Sequence, residues 1–364
     1  MGKYEFSSVP RSLFHEDGSL NLCQQKSKLV DLLMSGAENP FTQTNENKEQ
    51  IYQTGSSSTK SLETDAYVAI VDGMAELQAL QKSKDMATCK DLAEAFTSKV
   101  FAKYGKYDEI YMIFDSYVKN SIKAITREKR LHGIELIQFK IMDSTVITNV
   151  TMKKLLSHPD TKDELSAYIS EKVFHHAGER NVNLVVTWRE EIASTHCDLG
   201  FLKSTQEEAD TKMILHAVNA KERGANRLFF FTPDTDVLIL AVRRWPELPS
   251  QSFFMPTLRT EISIADIFSS LGPLKSSALP AFHCLSGCDT TGALVGKGKL
   301  SYWKAFNTAT EKTLTALAAL GTSEEISEGV LKEIEKFICQ VYKPGSSIDK
   351  LAELRWYLFS KKNK

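Results

Sequence analysis

Apolar residues along the chain gather into short runs, and several of these runs end in an acid. Tyr67-Val-Ala-Ile-Val71 has the length and content of a buried strand and ends at Asp72-Gly73. Glu109-Ile-Tyr-Met-Ile-Phe114 repeats the pattern and ends at Asp115. Leu184-Val-Val-Thr187 predicts a third strand, and Arg227 to Thr232 a fourth, directly before Asp234-Thr-Asp236. Val237-Leu-Ile-Leu-Ala241 fits either a continuation of that strand past a bend or the start of a helix. Helical periodicity runs from Ala75 to Tyr104 and again from Trp303 to Lys364. Strands alternating with helices predict an α/β fold with a mostly parallel central sheet flanked by helices. In such sheets a site forms outside the carboxyl ends of the strands, where Asp72, Asp115, Asp234 and Asp236 all fall.

The polar stretches divide the chain. Residues 1–64 are rich in Ser, Gln, Asn, Lys and Thr, with one short helix expected in Leu20 to Leu33 and a flexible linker over Gln43 to Thr64. They read as an extension or partial lid. Residues 65–310 read as the main domain and 311–364 as a helical carboxyl-terminal segment. Within the main domain, Lys119, Lys123, Arg127, Lys129 and Arg130 form a basic stretch after Asp115. Lys123, Arg127 and Arg130 share one helical face, placed to grip phosphate. Thr151 to Ala177 reads as two short helices around Ser157-His-Pro-Asp160, an insertion over the site rather than core.

Composition narrows the function classes. With 42% hydrophobic and 25% charged residues the chain is an ordinary globular protein, and a net charge of −1 confines any nucleic-acid surface to a local patch. No apolar run approaches a membrane span and no secretory pattern is present, so the six cysteines are expected as reduced thiols in an intracellular protein. Ser360-Lys-Lys-Asn-Lys364 is a weak basis for a nuclear location. His283-Cys284 and Cys288, together with His196-Cys197, offer zinc ligands, but Cys-x₃-Cys lacks a second pair, and small buried thiols are the better reading.

The candidate chemistry lies in the acids. Glu208-Ala-Asp210, Asp234-Thr-Asp236 and Asp289 form three groups in the last half of the chain. Two acids one residue apart point away from each other on a helix, whereas at a strand end both can converge on one hard cation such as Mg²⁺ or Mn²⁺. After Asp289, the turn Gly296-Lys297-Gly298 with Lys299 can offer backbone N–H groups to a phosphate.

Together these motifs resemble the flap endonuclease (XPG-like) group of structure-specific nucleases, which have a PIN-like fold. Ala69-Ile-Val-Asp72-Gly-Met74 is similar to that family's first acidic motif, Phe114-Asp115 to its second, and Glu208-Ala-Asp210 to its Glu-Ala-Glu pair with Asp in the last place. Thr232-Pro-Asp234-Thr-Asp236 resembles its Asp-x-Asp motif, and Gly287-Cys-Asp289 its last acid. Residues 119–180 would then hold a basic gateway helix and a helical insertion, and 289–306 a helix-hairpin-helix-like DNA-binding element. The resemblance implies metal-dependent endonuclease hydrolysis of DNA with two divalent ions, about 3.5–4 Å apart in such sites. It implies Asp115, Glu208, Asp210, Asp234 and Asp236 closest to the ions, and Asp72 and Asp289 acting through water. Lys123, Arg127 and Arg130 would meet the scissile phosphate, with Lys123 and Arg130 the preferred pair. Lys119, Gly296, Lys297, Gly298 and Lys299 would hold nucleic-acid backbone.

The chain departs from the family in three places. A long polar segment precedes Asp72, Gln78 stands where a base-stacking tyrosine is expected, and no sliding-clamp peptide is present near residue 364. Two other readings remain: a nuclease-like domain that binds nucleic acid without cutting it, and a haloacid-dehalogenase-like phosphatase with an aspartate nucleophile at Asp234.

Overall fold

The computed structural model describes residues 10–23, 27–36, 66–83, 85–118, 121 and 136–362. The chain divides into two units, Thr42–Ala265 and a second formed by Met1–Phe41 with Asp266–Lys364. The division thus falls near residue 265, where the sequence suggested one domain reaching 310.

The first unit is a seven-stranded sheet: β1 (Tyr67–Asp72), β2 (Glu109–Ile113), β3 (Leu184–Trp188), β4 (Glu191–Ser194), β5 (Arg227–Phe231), β6 (Gln251–Thr257) and β7 (Thr260–Ser263). Their spatial order is β4-β3-β2-β1-β5-β6-β7. The five inner strands run parallel, and the outer two pair antiparallel with their neighbours. The fold is therefore mixed α/β with a mostly parallel sheet, as expected. From β1 the chain first builds outward through β2 and β3, then returns to build the other side through β5 and β6. The switch point lies between β1 and β5, where parallel sheets open a crevice.

Helices alternate with these strands. Along the chain these are α1 (Lys28–Gly36), α2 (Gly73–Gln78), α3 (Cys89–Tyr104), α4 (Met152–Leu155), α5 (Pro159–Glu179), α6 (Ala209–Glu222) and α7 (Thr235–Arg243), of which α1 belongs to the second unit. One sheet face presents Ala69, Val71, Ile110, Met112, Leu184, Val186, Phe229 and Phe231, alternate residues of four strands, to α3 and α5. Helix α3 meets it with Leu92, Phe96, Val100 and Tyr104, and α5 with Leu165, Ile169, Val173 and Ala177, each set at four-residue spacing. The opposite face, including Val68, Ile70, Tyr111 and Phe230, is also buried, with α6 packed on β1 and β2. Burial on both faces is why these strands read as unbroken apolar runs.

Two expectations change here, and one open alternative is resolved. The segment 151–177, expected to lie over the site, forms most of α5 and supplies core. The helical stretch from Ala75 to Tyr104 is two helices, because Asp72 caps α2 and a Thr88/Asp91 capping box restarts the chain as α3. Val237–Ala241 is helical, within α7, whose first turn is capped by Asp234.

The second unit contains α8 (Ile264–Leu285), interrupted at Gly272 (φ 73°), then α9 (Lys299–Asn307), α10 (Glu311–Ala319), α11 (Glu328–Tyr342) and α12 (Leu351–Lys362). Phe282 packs on Trp303 and Phe306, with ring centroids 5.7 and 4.8 Å away, and Tyr302 on Phe337 at 5.9 Å. The described part of residues 1–64 is built into this unit. Asn21 O accepts from Ala293 N–H at 2.7 Å, Ser12 O accepts from Val295 N–H at 2.9 Å, and α1 packs on α9. Trp356 and Phe359 on α12 are 59% and 58% exposed.

Candidate active site at the carboxyl ends of the strands

Four acids follow directly from strand ends. Asp72 is the last residue of β1, and its Oδ1 accepts the Ala75 N–H at 2.9 Å. Residue 73 is glycine because the Phe114 ring lies against it, with a Cβ there only 2.6 Å from Phe114 Cζ. This contact sets the end of β1 against the end of β2, and hence Asp72 beside Asp115. Asp115 Oδ1 in turn accepts the Ala209 N–H at 2.9 Å, fixing the start of α6 over β2. Asp234 occupies the N-cap of α7, where its Oδ1 accepts the Asp236 N–H at 3.0 Å.

Asp210 is in the first turn of α6 and is 7% exposed. Carboxylate oxygens of Asp210, Asp234 and Asp236 all lie within 4.8 Å of one another. Asp72 joins the same field. Burial, reinforced by the nearby charges of Asp115 and Asp234, raises its carboxyl from 3.8 to about 6, against opposing hydrogen bonds from Ala75 and Thr232. Glu208 stands at the N-cap position of α6 but makes no capping bond there. Every donor in the close group is a carboxylate oxygen, which suits a hard divalent cation such as Mg²⁺ or Mn²⁺. Two helix amino termini, those of α6 and α7, add their positive ends to the same place.

Sequence reasoning missed the groups that hold these acids in register. The Thr232 hydroxyl donates to Asp72 Oδ2 at 3.1 Å and accepts the Asp234 N–H at 3.1 Å. Lys212, 2% exposed, donates to Ser116 Oγ at 2.7 Å and to Arg189 O at 2.6 Å. Burial lowers the Lys212 pKa, while Asp115 and Glu190 oppose the shift. Ser116 N–H also donates to Glu207 O at 2.7 Å, so the residue after Asp115 is tied to the residue before Glu208.

Asp289 lies in the second unit, in the loop between α8 and α9. Gly296 has φ 68° and begins the expected Gly-Lys-Gly turn. Lys297 donates to Tyr342 O at 3.1 Å, with its ammonium 5.4 Å from the Tyr342 ring centroid. Lys299 does not face solvent: it is 2% exposed, and its ammonium donates to His283 O, Ser286 Oγ and Gly287 O at 2.9, 2.8 and 2.7 Å. A phosphate role for Lys299 is corrected by this burial; it fastens the loop that carries Asp289. His283 Nδ1 faces the same ammonium at 3.1 Å, and among the described residues His283, Cys284 and Cys288 form no three-ligand cluster. Lys119, Lys123, Arg127 and Arg130 lie outside the described residues.

No family model matches the sequence, and none of the curated proteins matches it. Among solved structures, a bacteriophage T5 flap endonuclease in a pseudo-enzyme–product complex with DNA and metal ions is similar at 10% identity. That similarity covers 82% of this chain and 100% of that chain, with a TM-score of 0.40. The catalytic core of Rad2 in complex with DNA substrate is similar at 13% identity, over 80% of this chain and 79% of that one, also at 0.40. At these scores neither likeness carries a residue-by-residue correspondence. Among the described residues no helix is long and apolar enough to cross a membrane.

Proposed function

We propose that this chain is a divalent-cation-dependent nuclease that hydrolyses phosphodiester bonds in DNA, at flaps or junctions. The observation that carries the reading is the gathering of Asp72, Asp115, Asp210, Asp234 and Asp236 at the switch point of the sheet, three of them with oxygens within 4.8 Å. Carboxylates this close repel one another, and a cation offsets the repulsion. Asp210, Asp234 and Asp236 would hold cations directly, with Asp115 and Glu208 beside them and Asp72 acting through water. Bound there, divalent ions supply an activated water and charge stabilisation for in-line displacement at phosphorus. The chain's own contribution is to fix the carboxylates before substrate arrives, through Thr232, Lys212 and the caps of α6 and α7. Lys123, Arg127 and Arg130 would draw the scissile phosphate toward these acids and neutralise its charge. Lys119 and the Gly296-Lys297-Gly298 turn would hold nucleic-acid backbone.

The phosphatase reading rests on Asp234 as nucleophile and gives Asp72, Asp115 and Glu208 no task. The test uses end-labelled 5′-flap, hairpin, duplex and single-stranded DNA, with matching RNA, in Mg²⁺ or Mn²⁺. Cutting that stops with a chelator and in Asp234→Ala/Asp236→Ala is the expected result. Binding without cutting in both metals would replace the nuclease with a nucleic-acid-binding protein.

A further inference from the structure

A second cluster of side chains of metal-ligand type lies at the other end of the same sheet. Glu109 opens β2 and Asp115 follows its end, so the two clusters are about 20 Å apart along one strand. Glu109, His196 and Cys197 each present one ligand atom, and the three atoms lie within 4.8 Å of one another. His196 Nε2 is 2.6 Å from Glu109 Oε1 and 3.4 Å from Cys197 Sγ.

The turn that presents the pair is built in advance. Just beyond β4, Thr195 N–H donates to Leu184 O at 3.0 Å, and its hydroxyl donates to Val182 O at 2.8 Å. Ser194 Oγ accepts the Cys197 N–H at 3.3 Å and lies 3.3 Å from His196 Nδ1. With Nδ1 engaged by a hydroxyl, Nε2 is the nitrogen turned to Glu109 and Cys197. Outer partners of this kind orient histidine ligands in metal sites. The Glu109 and His196 side chains are 11% and 20% exposed, which leaves the cluster sheltered but reachable.

We propose that Glu109, His196 and Cys197 form a binding site for a borderline-soft divalent cation of the zinc class, separate from the carboxylate site. One thiolate, one imidazole and one carboxylate, with water as a fourth ligand, is a zinc-type donor set, whereas the all-oxygen group at the opposite end suits magnesium. Tetrahedral zinc with bonds of about 2.0–2.3 Å separates nitrogen and sulfur ligands by about 3.5 Å, close to the 3.4 Å observed. The 2.6 Å nitrogen–oxygen pair is hydrogen-bonded and must open to about 3.4 Å as the cation replaces the shared proton. The Nε2 proton passes to Nδ1, where Ser194 Oγ can accept its hydrogen bond, and the Cys197 thiol gives its proton to water as the thiolate binds.

Arg223 decides how tightly the site binds. Its guanidinium bonds Glu109 Oε1, donates to the Tyr111 hydroxyl at 2.7 Å and lies 3.1 Å from His196 Nε2. It thus holds positive charge on the carboxylate that a metal would use. Entry of the cation requires Arg223 to give up Glu109, and it retains Tyr111 when it does so.

Cobalt(II) titration of the metal-free full chain tests the proposal, because a cobalt–thiolate bond gives near-ultraviolet charge transfer that carboxylate ligands cannot give. The expected result is a band equivalent to one Co²⁺ per chain, bleached by Zn²⁺. It should be lost in both Cys197→Ser and His196→Gln, each checked by circular dichroism and melting, and kept in Cys284→Ser/Cys288→Ser. Arg223→Gln should develop the band at lower Co²⁺. Absence of the band in the wild-type chain overturns the proposal, as does a band that survives Cys197→Ser or vanishes with Cys284 and Cys288.

Discussion

The Thr232 hydroxyl donates to Asp72 Oδ2 across the β1–β5 junction at 3.1 Å. The same oxygen accepts the Asp234 N–H, so one small side chain aligns acids from two neighbouring strand ends. Replacing Thr232 by valine keeps the shape and removes both bonds. Stability should fall by about 1 kcal/mol, measured by denaturant unfolding. On the proposed nuclease reading, cleavage should fall as well, because the two carboxylates lose their common reference.

Gly73→Ala tests the contact that brings Asp72 beside Asp115. The Phe114 ring is fully buried, and a Cβ 2.6 Å from it forces the ring or the backbone to shift. Overpacking of this kind costs about 1–3 kcal/mol. The variant should unfold at lower denaturant and bind Mg²⁺ or Mn²⁺ more weakly. Unchanged metal affinity in a folded Gly73→Ala protein would mean that the strand-end spacing does not govern the site.

The raised Asp72 carboxyl predicts a pH dependence for the metal-free protein. Its proton is held more tightly in the native state, with a pKa of about 6 against an ordinary value of 3.8. The contribution to stability is therefore fully present below about pH 3.8 and is lost as pH rises through about 6. The difference in unfolding free energy between the wild-type protein and Asp72→Asn should change across that window and be flat above it. A difference independent of pH from 3 to 7 would contradict the shift.

Lys299→Met should destabilise the second unit without weakening contact with nucleic acid directly. The change leaves the acceptors on His283, Ser286 and Gly287 without their ammonium in a buried place, at a cost of about 3 kcal/mol or more. Lys297→Met removes only the bond to Tyr342 O and should cost less stability than Lys299→Met, while reducing the salt dependence of DNA binding if binding occurs through that turn.

What the sequence disclosed followed from burial. Strands covered on both faces, β1, β2, β3 and β5, appear as uninterrupted apolar runs. The half-polar β4, and β6 and β7 around Pro256 and Arg259, have no such run and were not foreseen. Helix α5 shows only a stripe, Leu165, Ile169, Val173 and Ala177, within a polar sequence, and so reads as an insertion. The acids were legible because each sits beside a strand end or in a short motif. Their supports were not, since Thr232 meets Asp72 from 160 positions away and Lys212 meets Ser116 from 96. Lys299 reads as a surface lysine in Gly-Lys-Gly-Lys, and its burial depends on carbonyls 12 to 16 positions earlier.

The second unit joins two stretches of chain that more than 220 residues of the first unit separate. During synthesis, Ser12 and Asn21 leave the ribosome long before their partners Val295 and Ala293 exist. All seven strands are complete once Ser263 has been made, so the sheet can form while the early segment still waits. An emerging chain thus has a natural order of assembly, with the carboxylate cluster of the sheet in place before Lys299 can close the loop around Asp289.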